Sequence, residues 1–142
     1  MTSAMSDSLI IIGGFIFAGM GVVHGLLSVL DVFRPSQFTP LDDSVRLAMK
    51  STSVRFLRAR AQVWDAWLGF NISHSLGMFL FGAAAIWLGV NLERVEVPKA
   101  ALAIPVIIGL IYLVLSARFW FYAPTIGYIV AVACFAAAWL IY

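Results

Sequence analysis

Two histidines stand inside long apolar stretches of this sequence, where an imidazole is an unusual side chain. His24 precedes Asp31, at the end of the first stretch, by seven residues, and His74 follows Trp64, near the start of the second, by ten. At the helical rise of about 1.5 Å per residue, the two imidazoles lie at similar depth, within roughly 5 Å of one level. We therefore predict that both face the seam between these two segments.

Other polar residues gather near the same end of the apolar stretches. A charged group inside a membrane span costs about 2.5–3.5 kcal/mol on insertion, so such groups usually face protein or water. We predict a polar pocket around the histidines, whose remaining members are Asn71, Ser73, Asp65, Asp31, Arg118 and Tyr128.

Three kinds of chemistry compete for this pocket. Haem b needs two neutral imidazoles on opposing helices and small residues beside them, a role that Gly21, Gly25 and Gly77 suit. A metal ion needs a further ligand, and Asp31 lies about two turns from His24, so we predict no metal site. A proton relay needs only the imidazoles and nearby amides or carboxylates. The alternative is structural, with each histidine a hydrogen-bonded core residue, and catalytic residues stay unknown.

Composition restricts the class of protein. Of the 142 residues, 63% are hydrophobic and 11% are charged. A soluble domain of this size cannot bury so much apolar surface, whereas a lipid bilayer accommodates it. The basic residues cluster beside apolar stretches, a pattern typical of membrane orientation rather than of nucleic-acid binding. Cys134 is the only cysteine, so no disulfide within the chain can form.

Four stretches are long and apolar enough to cross a membrane as helices. They run roughly over Leu9–Leu30, Gln62–Val90, Ala100–Phe121 and Thr125–Tyr142. The first is longer than a typical signal core, and we expect it to be retained. The predicted fold is all-α, an integral membrane antiparallel four-helix bundle that forms a single domain over residues 1–142.

The first connection contains a further helix signal. Thr39 is suited to cap a helix, and Pro40 to occupy its first position. The residues that follow mix apolar and basic side chains. We predict a short amphipathic helix at about residues 40–50, lying on the membrane surface, with a solvated loop helix as the alternative.

Orientation follows from lysine and arginine counts. The side with only two basic residues carries Arg94 and Lys99. The opposite side carries seven: Arg34, Arg46, Lys50, Arg55, Arg58, Arg60 and Arg118. Because basic loops stay in the cytoplasm, we predict that both termini face outward from the bacterial inner membrane.

Small residues form stripes on the first two spans, and such stripes allow helices to approach closely in lipid. The stripe on the second span is Gly69, Ser73 and Gly77, while Gly82 is given no role. The stripe on the first span is Gly14, Ala18, Gly21, Gly25 and Ser28. We expect the two stripes to bring these spans together.

The segment from Trp67 to Gly77, WLGFNISHSLG, resembles one in a family of small uncharacterised bacterial four-span membrane proteins. The resemblance implies four spans and points to Asn71, Ser73 and His74, but implies no activity. The leading hypothesis is a small accessory or binding subunit of the inner membrane, in contact with lipids and with another membrane protein or itself. The alternative is a membrane-embedded enzyme or redox protein that uses the pocket around His24 and His74, so whether the chain is an enzyme stays open.

Overall fold

The computed structural model describes residues 2–55 and 61–142, so the predictions on Arg58 and Arg60 lie outside the described residues. Within these ranges the chain is helical, and its one β feature is an isolated bridge between Ser53 and Gln62. A short 3-10 turn at Lys99–Leu102 precedes the fourth helix. The five α-helices are α1 (Thr2–Phe33), α2 (Asp43–Ser51), α3 (Val63–Asn91), α4 (Ala103–Phe119) and α5 (Tyr122–Ile141). The predicted all-α fold is confirmed.

Within the described ranges, four segments are long and apolar enough to cross a membrane, which makes the chain a multi-pass membrane protein by length and composition. They are Ala4–Phe33, Val63–Asn91, Lys99–Phe119 and Tyr122–Ile141. The first helix starts well before the predicted Leu9, because Ser and Asp residues near the N-terminus join the same helix. The last starts at Tyr122 and includes Pro124 in its first turn, where a proline costs little.

The chain divides into two compact units. The first unit comprises Met1–Met20 and Met78–Tyr142, and the second comprises Gly21–Gly77. Four helices meet in the first unit around Phe17 of α1, which is fully buried. The Phe17 ring contacts rings of the other three helices, namely Phe81 of α3 at 4.7 Å, Tyr112 of α4 at 5.4 Å and Tyr128 of α5 at 5.1 Å between centroids. This unit is therefore a four-helix bundle with an aromatic centre.

Glycines set the crossing of α1 and α3 inside the first unit. A Cβ added at Gly82 would lie 2.6 Å from the carbonyl oxygen of Gly14 and 2.8 Å from the Cα of Ala18, so backbone meets backbone there. Farther along α3, Gly89 faces Ile11 of α1, so the two segments run antiparallel. Gly14 and Ala18 thus pack as the first-span stripe predicts, whereas leaving Gly82 without a role was wrong.

Helix α2 begins three residues later than the predicted start. Asp42 caps it, accepting a hydrogen bond of 2.8 Å from the backbone N–H of Ser44, while Thr39 and Pro40 precede the helix in irregular chain. The prediction of Thr39 as the cap was wrong, because an ionised carboxylate at Asp42 is at least as good an acceptor and lies next to the helix. Hydrogen bonds from the side chain and the backbone N–H of Ser44 lower the pKa of the Asp42 carboxyl.

Candidate functional site

The two histidines meet inside the second unit. The ring centroids of His24 on α1 and His74 on α3 lie 5.6 Å apart, with one ring edge facing the other ring. Both side chains are half-buried. The two imidazoles therefore lie at one level and face each other across the seam between α1 and α3, as expected.

Asn71 joins this pair as a fully buried amide. Its Nδ2 donates to the backbone carbonyl of Trp67 at 2.8 Å, and its Oδ1 lies 3.2 Å from His24 Nε2. An amide oxygen only accepts hydrogen bonds, so His24 carries its proton on Nε2 and donates it to Asn71. The amide orientation itself follows from the Trp67 carbonyl, which requires the donating nitrogen on that side.

An aromatic ring lies against each imidazole. Phe38, from the loop after α1, lies 4.4 Å from His24 between ring centroids, and Phe70 lies 5.7 Å from His74 at an interplanar angle of 12°. Phe70 is one turn before His74 on the same helix, so its contact is readable from the sequence. Phe38 lies in an irregular loop, so no helical periodicity in the sequence predicts its contact with His24.

Asp31 explains why Phe38 covers His24. The Asp31 carboxylate is fully buried and accepts three backbone N–H groups from the following loop. Its Oδ1 accepts from Ser36 at 2.8 Å and Gln37 at 2.9 Å, and its Oδ2 accepts from Phe38 at 2.6 Å. Hydrogen bonds to a carboxylate are among the stronger ones in proteins, so this residue fixes the loop against the end of α1. Asp31 therefore acts by positioning Phe38.

Trp67 holds the same loop from the α3 side. Its indole Nε1 donates to the backbone carbonyl of Phe38 at 2.7 Å, while its own backbone carbonyl accepts from Asn71. Trp67 thus connects Phe38 and Asn71, both of which contact His24. The sequence analysis gave Trp67 no role, since a tryptophan near a span end ordinarily indicates only the membrane interface.

Two predicted pocket residues of α3 lie elsewhere. Ser73 is exposed and donates to the backbone carbonyl of Phe70 at 3.0 Å, and Asp65 is exposed near the start of the helix. The buried serine is Ser75, which donates to the backbone carbonyl of Ile72 at 2.7 Å. Ser73 is two residues from Asn71, which is about 200° around the helix, so the two cannot face the same side.

The small-residue stripe of the second span shares this outward position. Gly69, Ser73 and Gly77 are all exposed, and a Cβ added at Gly69 would meet no atom within 4 Å. The prediction that this stripe packs against the first span was wrong for Gly69 and Ser73. The buried polar side chains Asn71 and Ser75 occupy the inner face of α3, and the stripe is consequently turned away.

The last two predicted pocket residues belong to the first unit. Tyr128 is buried there, and its hydroxyl donates to the Sδ of Met78 at 3.4 Å. Arg118 is exposed near the end of α4, with its guanidinium 5.4 Å from the ring centroid of Phe119. Their described contacts are thus with residues of that unit.

The residues around the histidines do not fit a haem held between them. A nitrogen that binds iron needs its lone pair, and His24 Nε2 carries a proton donated to Asn71. The expected space is also filled, since a Cβ added at Gly25 would lie 3.1 Å from Ser75 Oγ, while Gly77 faces outward. The described part of the chain contains no group of three or more His, Cys, Asp or Glu side chains suited to a metal ion.

The chemistry available at this site is hydrogen bonding among an imidazole, an amide and backbone carbonyls, beside a second imidazole. Comparison with known proteins adds no family: no family model matches the chain, and no curated protein or solved structure matches it.

Proposed function

We propose that the chain is a non-catalytic accessory subunit of the bacterial inner membrane, which packs against a transmembrane helix of a partner protein. The observation that carries the proposal is the outward stripe of Gly69, Ser73 and Gly77 on α3. In lipid there is no hydrophobic force between helices, so small residues at four-residue spacing are the usual packing surface for another helix. A stripe that is not covered within its own chain is suited to a partner.

The condition of the polar residues also supports a non-catalytic role. Asp31 accepts three loop N–H groups, and the amide of Asn71 is bonded at both its nitrogen and its oxygen. Groups engaged in this way stabilise one conformation of the chain, because each broken bond leaves a buried polar atom without a partner. We assign these side chains the role of holding the outward face of α3 in place.

The proposed orientation follows the distribution of basic residues. The connection between α1 and α3 carries Arg34, Arg46, Lys50 and Arg55 among its described residues, whereas the α3–α4 connection carries Arg94 and Lys99. The first connection then faces the cytoplasm and both termini face outward. The resemblance of the segment from Trp67 to Gly77 to small bacterial four-span proteins supports the four spans that this orientation requires.

The experiment that tests the proposal compares two exposed glycines. Gly19 on α1, like Gly69, has no atom within 4 Å of an added Cβ. The tagged chain, Gly69→Leu and Gly19→Leu are purified from native membranes in mild detergent, and the masses of the intact assemblies are measured. We expect the parent and Gly19→Leu to retain a partner that Gly69→Leu loses. A parent chain that purifies alone, or a Gly69→Leu variant that keeps its partner, would contradict the proposal, and recovery of a homo-oligomer would identify the partner as a second copy.

A membrane-embedded acid–base or redox protein is the second candidate, favoured by the 5.6 Å separation of the His24 and His74 rings. Two imidazoles at this distance are suited to passing a proton. The buried amide of Asn71 connects one of them, His24, to the backbone carbonyl of Trp67. A visible absorption spectrum of the same purified protein tests the redox form of this candidate. A haem Soret band would favour the redox protein and would show that the histidines rearrange on binding.

A further inference from the structure

The chain on either side of helix α2 is hydrogen-bonded to residues at the start of α3 or just before it. After α2, the backbone N–H of Val63 donates to Thr52 at 2.9 Å and that of Val54 donates to Ala61 at 2.8 Å. Before α2, the carbonyl of Phe38 accepts the indole N–H of Trp67 at 2.7 Å. Residues 34–55, which contain α2, are called the α2 segment below. Because Val63 begins a membrane-spanning segment, both ends of the α2 segment are held at the boundary of the hydrocarbon layer.

The side chains of this segment match that level. The ammonium of Lys50 lies 5.9 Å from the ring centroid of Trp64, which is a buried tryptophan at the start of the α3 span. Lysine and tryptophan side chains at the end of a membrane span are typical of the headgroup region. The segment leaves Leu41 fully exposed and Val45 half-exposed, although each would be stabilised by contact with an apolar medium.

The two faces of α2 differ in character. Val45, Ala48 and Met49 lie on one side, and the other carries the ion pair between Arg46 and Asp43, at 2.7 Å, beside the exposed Leu47. No residue of α2 is buried within the chain. Three exposed cations complete the segment, and they are Arg34, Lys50 and Arg55.

We infer that α2 is a lipid-binding element, which inserts the Val45 side into the headgroup region and binds anionic phospholipid headgroups through Arg34, Lys50 and Arg55. The partner is an anionic lipid because cations at the headgroup level are attracted to negative phosphates, while the apolar side is suited to the acyl-chain boundary. This inference is independent of the proposed accessory role, since it concerns the α1–α3 connection and not the outward stripe of α3.

A pair of apolar residues on α2 provides a matched test of its orientation. Val45 and Leu47 are both exposed, but lie about 200° apart around the helix. Each is replaced by cysteine in a Cys134→Ser background, labelled with an environment-sensitive fluorophore, and reconstituted in nanodiscs. We expect a blue-shifted emission at Val45, and an emission typical of water at Leu47. Water-like emission at both positions would overturn the inference and leave the helix as a solvated element open to a soluble partner.

The lipid specificity is tested with the Val45 label in nanodiscs of phosphatidylcholine with increasing phosphatidylglycerol. We expect the blue shift to grow with the fraction of anionic lipid. Lys50→Gln should raise the anionic fraction needed for half of the maximal shift about fivefold, because one cation near an anionic surface contributes about 1 kcal/mol to binding. Arg94→Gln removes an exposed cation from the α3–α4 connection and should change nothing. A shift independent of phosphatidylglycerol, or an equal effect of the two substitutions, would refute binding of anionic lipid by this segment.

Discussion

Gly82→Ala should destabilise the protein although it adds only one methyl group to a helix. The new Cβ would lie 2.6 Å from the Gly14 carbonyl oxygen and 2.8 Å from the Ala18 Cα, whereas ordinary contact begins near 3.4 Å. These neighbours are backbone atoms, so α1 and α3 must separate by several tenths of an ångström. Overpacking of this kind costs about 1–3 kcal/mol, and we place Gly82 near the upper limit because no flexible side chain can move aside.

Helix propensity acts in the opposite direction and sets the net value. Alanine is favoured over glycine inside a helix by about 1 kcal/mol, which leaves a net loss of about 1–2 kcal/mol for Gly82→Ala. The matched control is Gly69→Ala, where nothing lies within 4 Å of the new methyl group, so only the gain of up to about 1 kcal/mol applies. The two variants should therefore differ by about 2–3 kcal/mol in their free energy of unfolding.

Reversible unfolding in mixed micelles of mild detergent and dodecyl sulfate measures this difference, with helical circular dichroism as the signal. A Gly82→Ala variant that is as stable as both Gly69→Ala and the parent chain would refute the backbone crossing at Gly82. A Gly69→Ala variant as unstable as Gly82→Ala would show that the second-span stripe packs inside the chain after all.

Three further predictions concern the second unit and the orientation. Asp31→Asn should weaken the charge-assisted bonds to the loop by about 2 kcal/mol and speed hydrogen exchange of those loop amides about thirtyfold, and unchanged exchange would refute the positioning role. His24→Ala and His74→Ala should be non-additive in unfolding free energy by more than about 0.5 kcal/mol, because the rings are in contact. Additive effects would contradict an interaction between the two histidines. Single cysteines at Ser51 and Glu96 should react oppositely with an impermeant reagent added to whole cells, and labelling at Ser51 alone would reverse the proposed topology.

Much of the architecture was predictable because one physical requirement dominates it. Backbone groups in lipid must bond within their own helix, so length and hydropathy are sufficient to locate the four spans. The meeting of His24 and His74 was also predictable, since helical rise alone determines depth. The stripe of Gly14 and Ala18 follows from the same regularity.

The remaining features depend on long-range contacts for which the sequence has no local signal. The spacing of Gly69 and Ser73 shows that they share a face, but not whether that face points inward. Burial of Asn71 decides this, since its amide bonds to His24 and to its own helix. The loop bonds of Asp31, which bring Phe38 over His24, depend on an irregular backbone that periodicity does not describe.

The central claim is that the outward stripe of α3 is covered by a helix of another protein, and site-specific photo-cross-linking in intact membranes tests it directly. A photoreactive amino acid replaces Ser73 in the stripe, and in a matched chain it replaces Leu26, an exposed apolar residue of α1. The account predicts an ultraviolet-dependent adduct of one discrete protein mass from position 73, with only lipid adducts from position 26. Lipid adducts alone from both positions would contradict it.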